Sequence, residues 1–474
     1  MSVINVGRQT ACFETVDNSH LQLAAEFLIR GAKPRDIQGQ AARLAKQFLR
    51  QNRGILQDFS INSNISYDGD QVNINLYTSG QVGAFPLLSP TSGCPDYGLV
   101  IKPRFGWKGI GPLLAGMGWK VLPEPLPLPL LPQSDRKIPS WVLASTVLFR
   151  LQRLLEKMER RFEYTKADLN APRGQVDWTN YATTKLPQCG FLNVPCRFPD
   201  LRDDRDLKAA IHYTLRKQLA GLESQQGADL VVLHLIRICQ NLLEKVRDVP
   251  SRRPNPTILH SWLYKKLETT AFREGIQAVG WSIDDRGLAG LGDLQGLPWI
   301  LPMELFFEAW VETVINRIAA RIGGIVKSGR QRQTITPLSW SPPYLGSQRY
   351  LLPDLVFERD QETIIIDAKY KNHWEELNRG KWFKLEEELR GRHRNDLLQV
   401  LAYSTVSISK RVVCCLIYPC RLGTWRSLLK RKRSFHKAFV RAGSRRVELV
   451  LTAVPMGVNI EDICRVFEKA ISET

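Results

Sequence analysis

Three consecutive isoleucines, Ile364 to Ile366, run directly into Asp367-Ala368-Lys369. A short β-branched run bounded by polar residues reads as a buried strand, one that leaves Asp367 emerging at its edge. Strand side chains alternate between faces, so Asp367 and Lys369 project to the same side. A second apolar run, Leu351 to Phe357, carries Pro353-Asp354, and twelve residues separate Asp354 from Asp367. Two carboxylates and an ammonium gathered at one sheet edge can hold a divalent cation beside a fixed positive charge. That combination suits hydrolysis of a phosphodiester.

The rest of the chain is compatible with such a substrate. It has 474 residues, enough for two to four domains, and its 43% apolar content is that of a globular protein. No apolar stretch reaches the ~20 residues that span a bilayer. Residues 1–8 lack the charged start and apolar core of a signal peptide, so the expectation is a cytoplasmic protein with no membrane association. Lys and Arg number 66 against 47 Asp and Glu, a net charge of +19, which favours polyanionic partners. The excess is concentrated between Arg426 and Arg446, where Arg431-Lys432-Arg433 stands between Trp425 and the pair Phe435 and Phe439. This segment reads either as a solvated charged helix and loop or as a phosphate-contacting surface, and beside a nuclease-like cluster the second is favoured. Nine scattered cysteines without a secretory signal read as free thiols. Cys414, Cys415 and Cys420 fall in an apolar strand-like run with no Cys-x-x-Cys, which favours core cysteines over a cluster site.

The overall expectation is an α/β (α+β) chain in four parts. Residues 1–121 form a β-rich N-terminal domain of unknown role, with a helical stretch at His20–Arg50, strands within Ile61–Tyr77 and Tyr97–Phe105, and a turn at 105–111. Residues 122–138 are a proline-rich linker, read as a stiff spacer. Residues 139–295 are mainly helical, with helices at Trp141–Arg161, Leu207–Leu222, Ala228–Val246 and Leu259–Ile276. Residues 296–474 begin with a helix at Glu304–Ile322. Strands follow at Thr334–Leu338, Tyr350–Phe357, Thr363–Lys371, Val412–Pro419 and Val447–Val454. Helices at Asn395–Val406 and Ile460–Ser472 complete a mixed sheet flanked by helices, in the order of a restriction-endonuclease-like core.

Around the strand-edge cluster, Glu308 lies on the preceding helix and Gln399 and Tyr403, four apart, share one face of the following helix. Asp354 and Asp367 are hard oxygen donors suited to Mg²⁺, with Mn²⁺ able to substitute, and the Ala368 carbonyl can complete the set. Lys369 can orient or help deprotonate the attacking water, or stabilise charge on phosphorus. Glu308 can hold a metal-bound water, although Glu304 and Glu312 lie at four-residue steps on the same helix. Gln399 and Tyr403 would contact the DNA backbone or brace the carboxylates. His373 and His393 read as solvated residues of a charged, loop-like insertion at 372–394.

These motifs resemble the PD-(D/E)xK nuclease signature. The strings Leu305-Phe306-Phe307-Glu308, Leu352-Pro353-Asp354, Ile366 to Lys371 and Leu398 to Tyr403 are similar to the nuclease domain of the McrC family, the cleavage subunit of two-component McrBC-type 5-methylcytosine restriction systems. Upstream, Pro172-Arg173-Gly174-Gln175-Val176-Asp177-Trp178, then Pro195 to Phe198 and Asp206 to Ala210, also resemble that family. The likeness runs from about residue 139 onward. It implies a Mg²⁺-dependent endonuclease subunit that cuts double-stranded DNA in antiphage defence, activated by a hexameric AAA+ GTPase or ATPase of McrB type, with dimerisation through partner hexamers. It also makes Arg173 and Asp177 candidate partner contacts, although a simple turn explains them equally well. No G-x-x-x-x-G-K-[ST] phosphate loop is present, so a motor has to come from another protein. Two other readings stand beside this one: a stand-alone repair or recombination nuclease of the same fold, and a non-catalytic DNA-binding regulatory subunit.

Overall fold

The computed structural model describes residues 11–30, 35–126, 128–129, 131–132, 141–158, 161–202, 204–224, 230–264, 269–284, 295–342, 344, 346–372, 387–442, 445–457 and 460–472. The fold is of mixed α/β character, and the chain divides into two compact units. One comprises 1–139 together with 288–474; the other is 140–287.

In the first unit, the N-terminal region builds two sheets. The larger runs in the order Ala11–Val16, Tyr97–Lys102, Gln81–Leu87, Trp299–Pro302, Glu124–Pro125. Its fourth strand comes from beyond residue 296, in the part of the sequence assigned to the C-terminal domain, and pairs antiparallel with Gln81–Ala84. The smaller sheet is antiparallel, in the order His20–Ala24, Gln71–Tyr77, Asn62–Asp68, the last two forming a hairpin. Phe48, Phe59, Ile74, Phe85 and Tyr97 lie in the buried core joining these elements to the helix Ile37–Gln51. Asp36 starts that helix by accepting the Gly39 amide at 2.8 Å.

Several local expectations are corrected here. His20–Arg50 is not one helical stretch, because His20–Ala24 alternates polar and apolar residues and pairs as a strand. The turn expected at 105–111 is the start of a helix, Trp107–Gly116, entered through Gly106 at φ 77°, a left-handed conformation that favours glycine. The proline-rich segment is not a free spacer. Glu124–Pro125 pairs with Trp299–Ile300, and Leu131–Pro132 pairs with Gln295–Gly296.

The C-terminal region builds a six-stranded mixed sheet in the order Ile325–Ser328, Leu355–Arg359, Glu362–Ala368, Arg411–Cys420, Arg445–Pro455, Phe435–Ala442. The central pairings, Glu362–Ala368 with Arg411–Cys420 and the latter with Arg445–Pro455, are parallel; the outer ones are antiparallel. Every residue of Glu362–Ala368 is buried. Ile365, Val412 and Cys414 pack with Val400 and Tyr403 of the helix Glu387–Tyr403, while Leu416 and Tyr418 pack with Trp425 and Leu428 of the helix Leu422–Lys430. Cys414, Cys415 and Cys420 are buried in the central strand and form no disulfide. The strand Phe435–Ala442, in a segment that sequence alone read as charged helix or loop, closes the sheet edge.

The second unit is less helical than expected. Arg161–Leu169, Val194–Arg202 and Gln175–Val176 form an antiparallel sheet, so the helix from Trp141 stops at Lys157. The stretch 259–276 is divided between two helices, Pro256–Leu263 and Thr270–Ile283, capped by Asn255 and Thr269. Helices Arg205–Glu223 and Leu230–Val246 complete the unit. Among the described residues no helix is long and apolar enough to cross a membrane.

Candidate active site

The cluster read from the sequence is assembled at the end of the hairpin formed by Leu355–Arg359 and Glu362–Ala368. The register pairs Leu355 with Ile366, which sets Asp354 level with Asp367 at the open end. The Asp354 carboxylate accepts the Ala368 amide at 2.7 Å. The backbone on its other side is held as well. The Gly329 amide donates to the Asp354 carbonyl at 2.7 Å, and the Thr334 hydroxyl donates to the Pro353 carbonyl at 2.6 Å. A side chain at Gly329 would put its Cβ 2.5 Å from the Pro353 carbonyl oxygen, so this approach needs glycine.

Asp367 has no exposed surface, and the Lys369 Nζ lies 2.9 Å from its Oδ2 and 3.2 Å from its Oδ1. The ammonium therefore pairs with both oxygens of Asp367. Burial pushes the Asp354 carboxyl well above its ordinary range, and the nearby Asp367 and Glu308 carboxylates push it further. Burial likewise raises Asp367, against the pull of Lys369. The Lys369 ammonium is lowered by burial but raised more strongly by Asp367 and Asp354, and ends above its ordinary value. The site is therefore an acidic cluster, with more carboxylates than Lys369 alone balances.

The three glutamates on the helix Met303–Ile322 are separated by their surroundings. Glu304 is exposed. Glu312 is buried and occupied, accepting from Lys120 Nζ at 2.7 Å and Ser328 Oγ at 3.2 Å, with Arg330 at 3.5 Å. Glu308 falls between them in burial and shares the electrostatic field of Lys369, Asp367 and Arg330. Burial pushes its carboxyl up to about 7.

Gln399 and Tyr403 do share a helix face, where the Gln399 amide donates to the Tyr403 hydroxyl at 2.9 Å. Tyr403 is buried and feels the charges of Asp367, Lys369 and Asp354. Sequence reasoning missed Asp396, three residues before Gln399 and so on the same helix face. It accepts from Lys371 Nζ at 2.6 Å and from the Tyr418 hydroxyl at 2.9 Å. His393, expected to be solvated, is buried and lies 3.3 Å from that hydroxyl, because the helix begins at Glu387 inside the segment read as a loop. His373 lies outside the described residues.

The basic segment is partly absorbed by structure. Lys437 pairs with Glu448 at 2.8 Å, and Arg446 lies over the Phe439 ring at 3.8 Å. Arg431, Lys432 and Arg433 stay exposed in the turn before Phe435. The registers align Ala368, Ile417, Thr452 and Phe435, so this turn leaves the same sheet edge as Asp367. Three strand spacings of ~4.8 Å put it about 14 Å along that edge. Arg173 and Asp177, in the second unit, have local roles. The Arg173 guanidinium lies 4.3 Å over the Phe198 ring, and Asp177 accepts the Asn180 amide at 3.0 Å.

The model of a family described as "McrBC 5-methylcytosine restriction system component" matches residues 130–419. The chain belongs to the McrBC family. The resemblance to McrC read from the sequence is borne out at that level. No curated protein matches the chain. Among solved structures, it is similar to a chain of a Thermococcus gammatolerans assembly of McrB AAA+ hexamers with bound McrC, at 12% identity and a TM-score of 0.42 over 97% of this chain and 99% of that one. A chain of the McrBC complex from the same organism is similar at 12% identity and a TM-score of 0.26, covering 65% of this chain and 88% of that chain.

Proposed function

We propose that the chain is the DNA-cleaving subunit of a two-component McrBC-type restriction system, a metal-dependent phosphodiesterase of PD-(D/E)xK type. The observation that carries this reading is the Asp354–Asp367–Lys369 cluster: two buried carboxylates of raised proton affinity at the end of adjacent strands, and an ammonium 2.9 Å from one of them. Among the described residues no three His, Cys, Asp or Glu side chains converge as a ready-made metal cage. Two carboxylates nevertheless fit Mg²⁺, or Mn²⁺ in its place, because Mg²⁺ keeps several waters and takes few protein ligands. Asp354 and Asp367 would hold it, with the Ala368 carbonyl as a further donor. When bound, the cation supplies charge stabilisation to the attacking and leaving oxygens.

The chain's own residues account for the rest of the mechanism. Lys369, held above its ordinary proton affinity in the metal-free chain, acts as a fixed cation that orients the attacking water and steadies charge on phosphorus, not as a resident base. Glu308, titrating near 7, can accept a proton from water at neutral pH. The Gln399–Tyr403 pair braces the helix face behind the carboxylates. Water adds to phosphorus and the bridging P–O bond breaks. The exposed Arg431-Lys432-Arg433 turn contacts phosphates of double-stranded DNA at the same sheet edge. A separate AAA+ GTPase or ATPase is this chain's partner, a reading supported by the match to a restriction system component. Within the second unit, Arg173 and Asp177 mark a candidate docking loop for it.

The test is plasmid cleavage by purified chain with its AAA+ partner, nucleotide and Mg²⁺. Asp367→Ala and Lys369→Ala should each abolish it while leaving the partner's NTPase stimulation in place. Undiminished cleavage by both variants would remove the site assignment.

A further inference from the structure

Two residues beyond Lys369, a polar cavity of about 520 Å³ opens within the first unit. Its wall is shared by the N-terminal three-stranded sheet and the C-terminal helix and strand ends: His20, Tyr77, Arg104, Tyr370, Lys371 and Arg392 are its principal lining residues. Asn18, Ser19, Thr78 and Asn372 add neutral hydrogen-bonding groups, and Glu304 is the single carboxylate against three cations. The volume is that of a site for one small organic group.

Two features make this cavity more than a seam. His20 and Tyr77 present parallel rings, 4.7 Å apart and inclined by 16°, at an exposed lip, with the His20 Nε2 held 3.1 Å from Asn75 Oδ1. Flat, fixed and solvent-facing rings of this kind are a stacking platform for a nucleobase. Deeper in, Arg104 is nine-tenths buried, its guanidinium 4.4 Å over the Tyr370 ring. Its Nε lies 3.6 Å from Asp17 Oδ2, beyond hydrogen-bond reach, and neither Nε nor Nη2 has a hydrogen-bond partner among the described residues. The unbonded Nε and Nη2 of Arg104, whose charge faces Asp17, together with Arg392 and with Lys371, which already pairs with Asp396 at 2.6 Å, supply donors of the kind that hold a phosphodiester.

We propose that this cavity binds one nucleotide of the DNA strand next to the scissile phosphate, with its base on the Tyr77–His20 platform and its phosphate toward Arg104, Lys371 and Arg392. The proposal rests on the nuclease reading of the neighbouring cluster. It gives the N-terminal region a share in substrate binding, since His20, Tyr77 and Arg104 all come from it. Tyr370 and Lys371 follow Lys369 in a tight turn, the Lys371 amide donating to the Lys369 carbonyl at 2.8 Å, so the bound nucleotide lies close to the reacting phosphate.

The experiment measures binding of a fluorescein-labelled DNA duplex to the full-length chain in EDTA, where no turnover occurs. His20→Ala/Tyr77→Ala, both at exposed positions, should weaken binding about tenfold. Arg392→Gln should lower the slope of log affinity against log salt by about one. Photocrosslinking of a 5-iodouracil-substituted duplex to the unmodified chain should mark Tyr77 or His20. Unchanged affinity in the double variant, or crosslinks confined to other regions, would overturn the proposal. The two readings fail separately: binding unaltered while Asp367→Ala blocks cleavage sinks the nucleotide site alone, whereas cleavage surviving Asp367→Ala sinks the nuclease reading and leaves the binding result standing.

Discussion

The Asp354 carboxylate accepts the backbone amide of Ala368, the residue between Asp367 and Lys369, at 2.7 Å. One oxygen of Asp354 thus aligns the neighbouring strand, which leaves the other for a cation. Asp354→Asn keeps an acceptor for that amide but removes the charge. It should fold with near-native stability and lose cleavage by at least a hundredfold. Asp354→Ala should lose cleavage and also about 1–3 kcal/mol of stability, because the amide is left without its acceptor. Urea unfolding of the two variants beside plasmid cleavage checks the pair.

Lys369 and Asp367 offer a sharper contrast. Removing the ammonium leaves two buried carboxylates repelling each other, so Lys369→Ala should raise the proton affinity of the remaining pair further. Lys369→Arg keeps the charge in a different shape and should restore part of the fold stability with little cleavage. Equal cleavage by Lys369→Arg and the unmodified chain would show that a diffuse positive charge suffices there.

Glu308 and Glu312 should separate cleanly. Glu308→Gln should lower cleavage ten- to a hundredfold. Its carboxyl titrates at about 7 in the folded chain against an ordinary 4.5, so the folded state binds more protons between those values. Metal-free stability therefore falls as pH rises from about 4.5 through 7, and Glu308→Gln should recover about 1–3 kcal/mol at pH 8 and little at pH 4. Glu312→Gln, by breaking the contacts to Lys120, Ser328 and Arg330, should instead destabilise the chain at neutral pH. Denaturant midpoints at pH 4 and 8 decide both.

Glu448 gives the opposite pH sign. Although burial opposes it, hydrogen bonds from Lys437 and Arg411 hold its carboxyl below the ordinary value. Its stabilisation is present above pH 4.5 and lost as pH falls below it. Glu448→Gln should cost about 1.5–3 kcal/mol at pH 7, a difference that shrinks toward zero in acid. The same midpoint measurement at pH 3 and 7 tests this.

The exposed Arg431-Lys432-Arg433 turn should act through phosphates alone. Replacing all three with alanine should reduce the salt slope of duplex binding by between two and three, leaving stability unchanged. A slope identical to that of the unmodified chain would assign the turn to solvent.

How far this chain was legible from its sequence depended on whether a signal was local. The Ile364–Ile366 run and Asp367-Ala368-Lys369 set strand, register side and pairing partner within a few residues, and the structure brings them together as spacing required. Glu308 could not be told from Glu312 by periodicity, since both lie on one helix face; only Lys120, Ser328 and Arg330, brought in from elsewhere, distinguish them. Asp396 was missed because a lone acid in a charged helix gives no signal until Tyr418 and Lys371 close on it. Arg161–Leu169 and Val194–Arg202 escaped because their strands are rich in charge and proline and pair across 25 residues or more of sequence. His20–Ala24 was lost to the stronger helical period that follows it.

The short ladder joining Leu131–Pro132 to Gln295–Gly296 has a topological consequence. It brings the point where the chain leaves the first unit beside the point where it returns, so the residues between are a guest inserted into a host. The host's strand Trp299–Pro302 is then delivered to its sheet whatever the guest does. Replacing 133–294 with a short glycine-rich bridge between the paired Pro132 and Gln295 closes a small gap at modest entropic cost, whereas cutting the chain after residue 121 or before 296 removes strands from the host itself. The modular joint of this protein is therefore the middle of its chain, and its two ends are one piece.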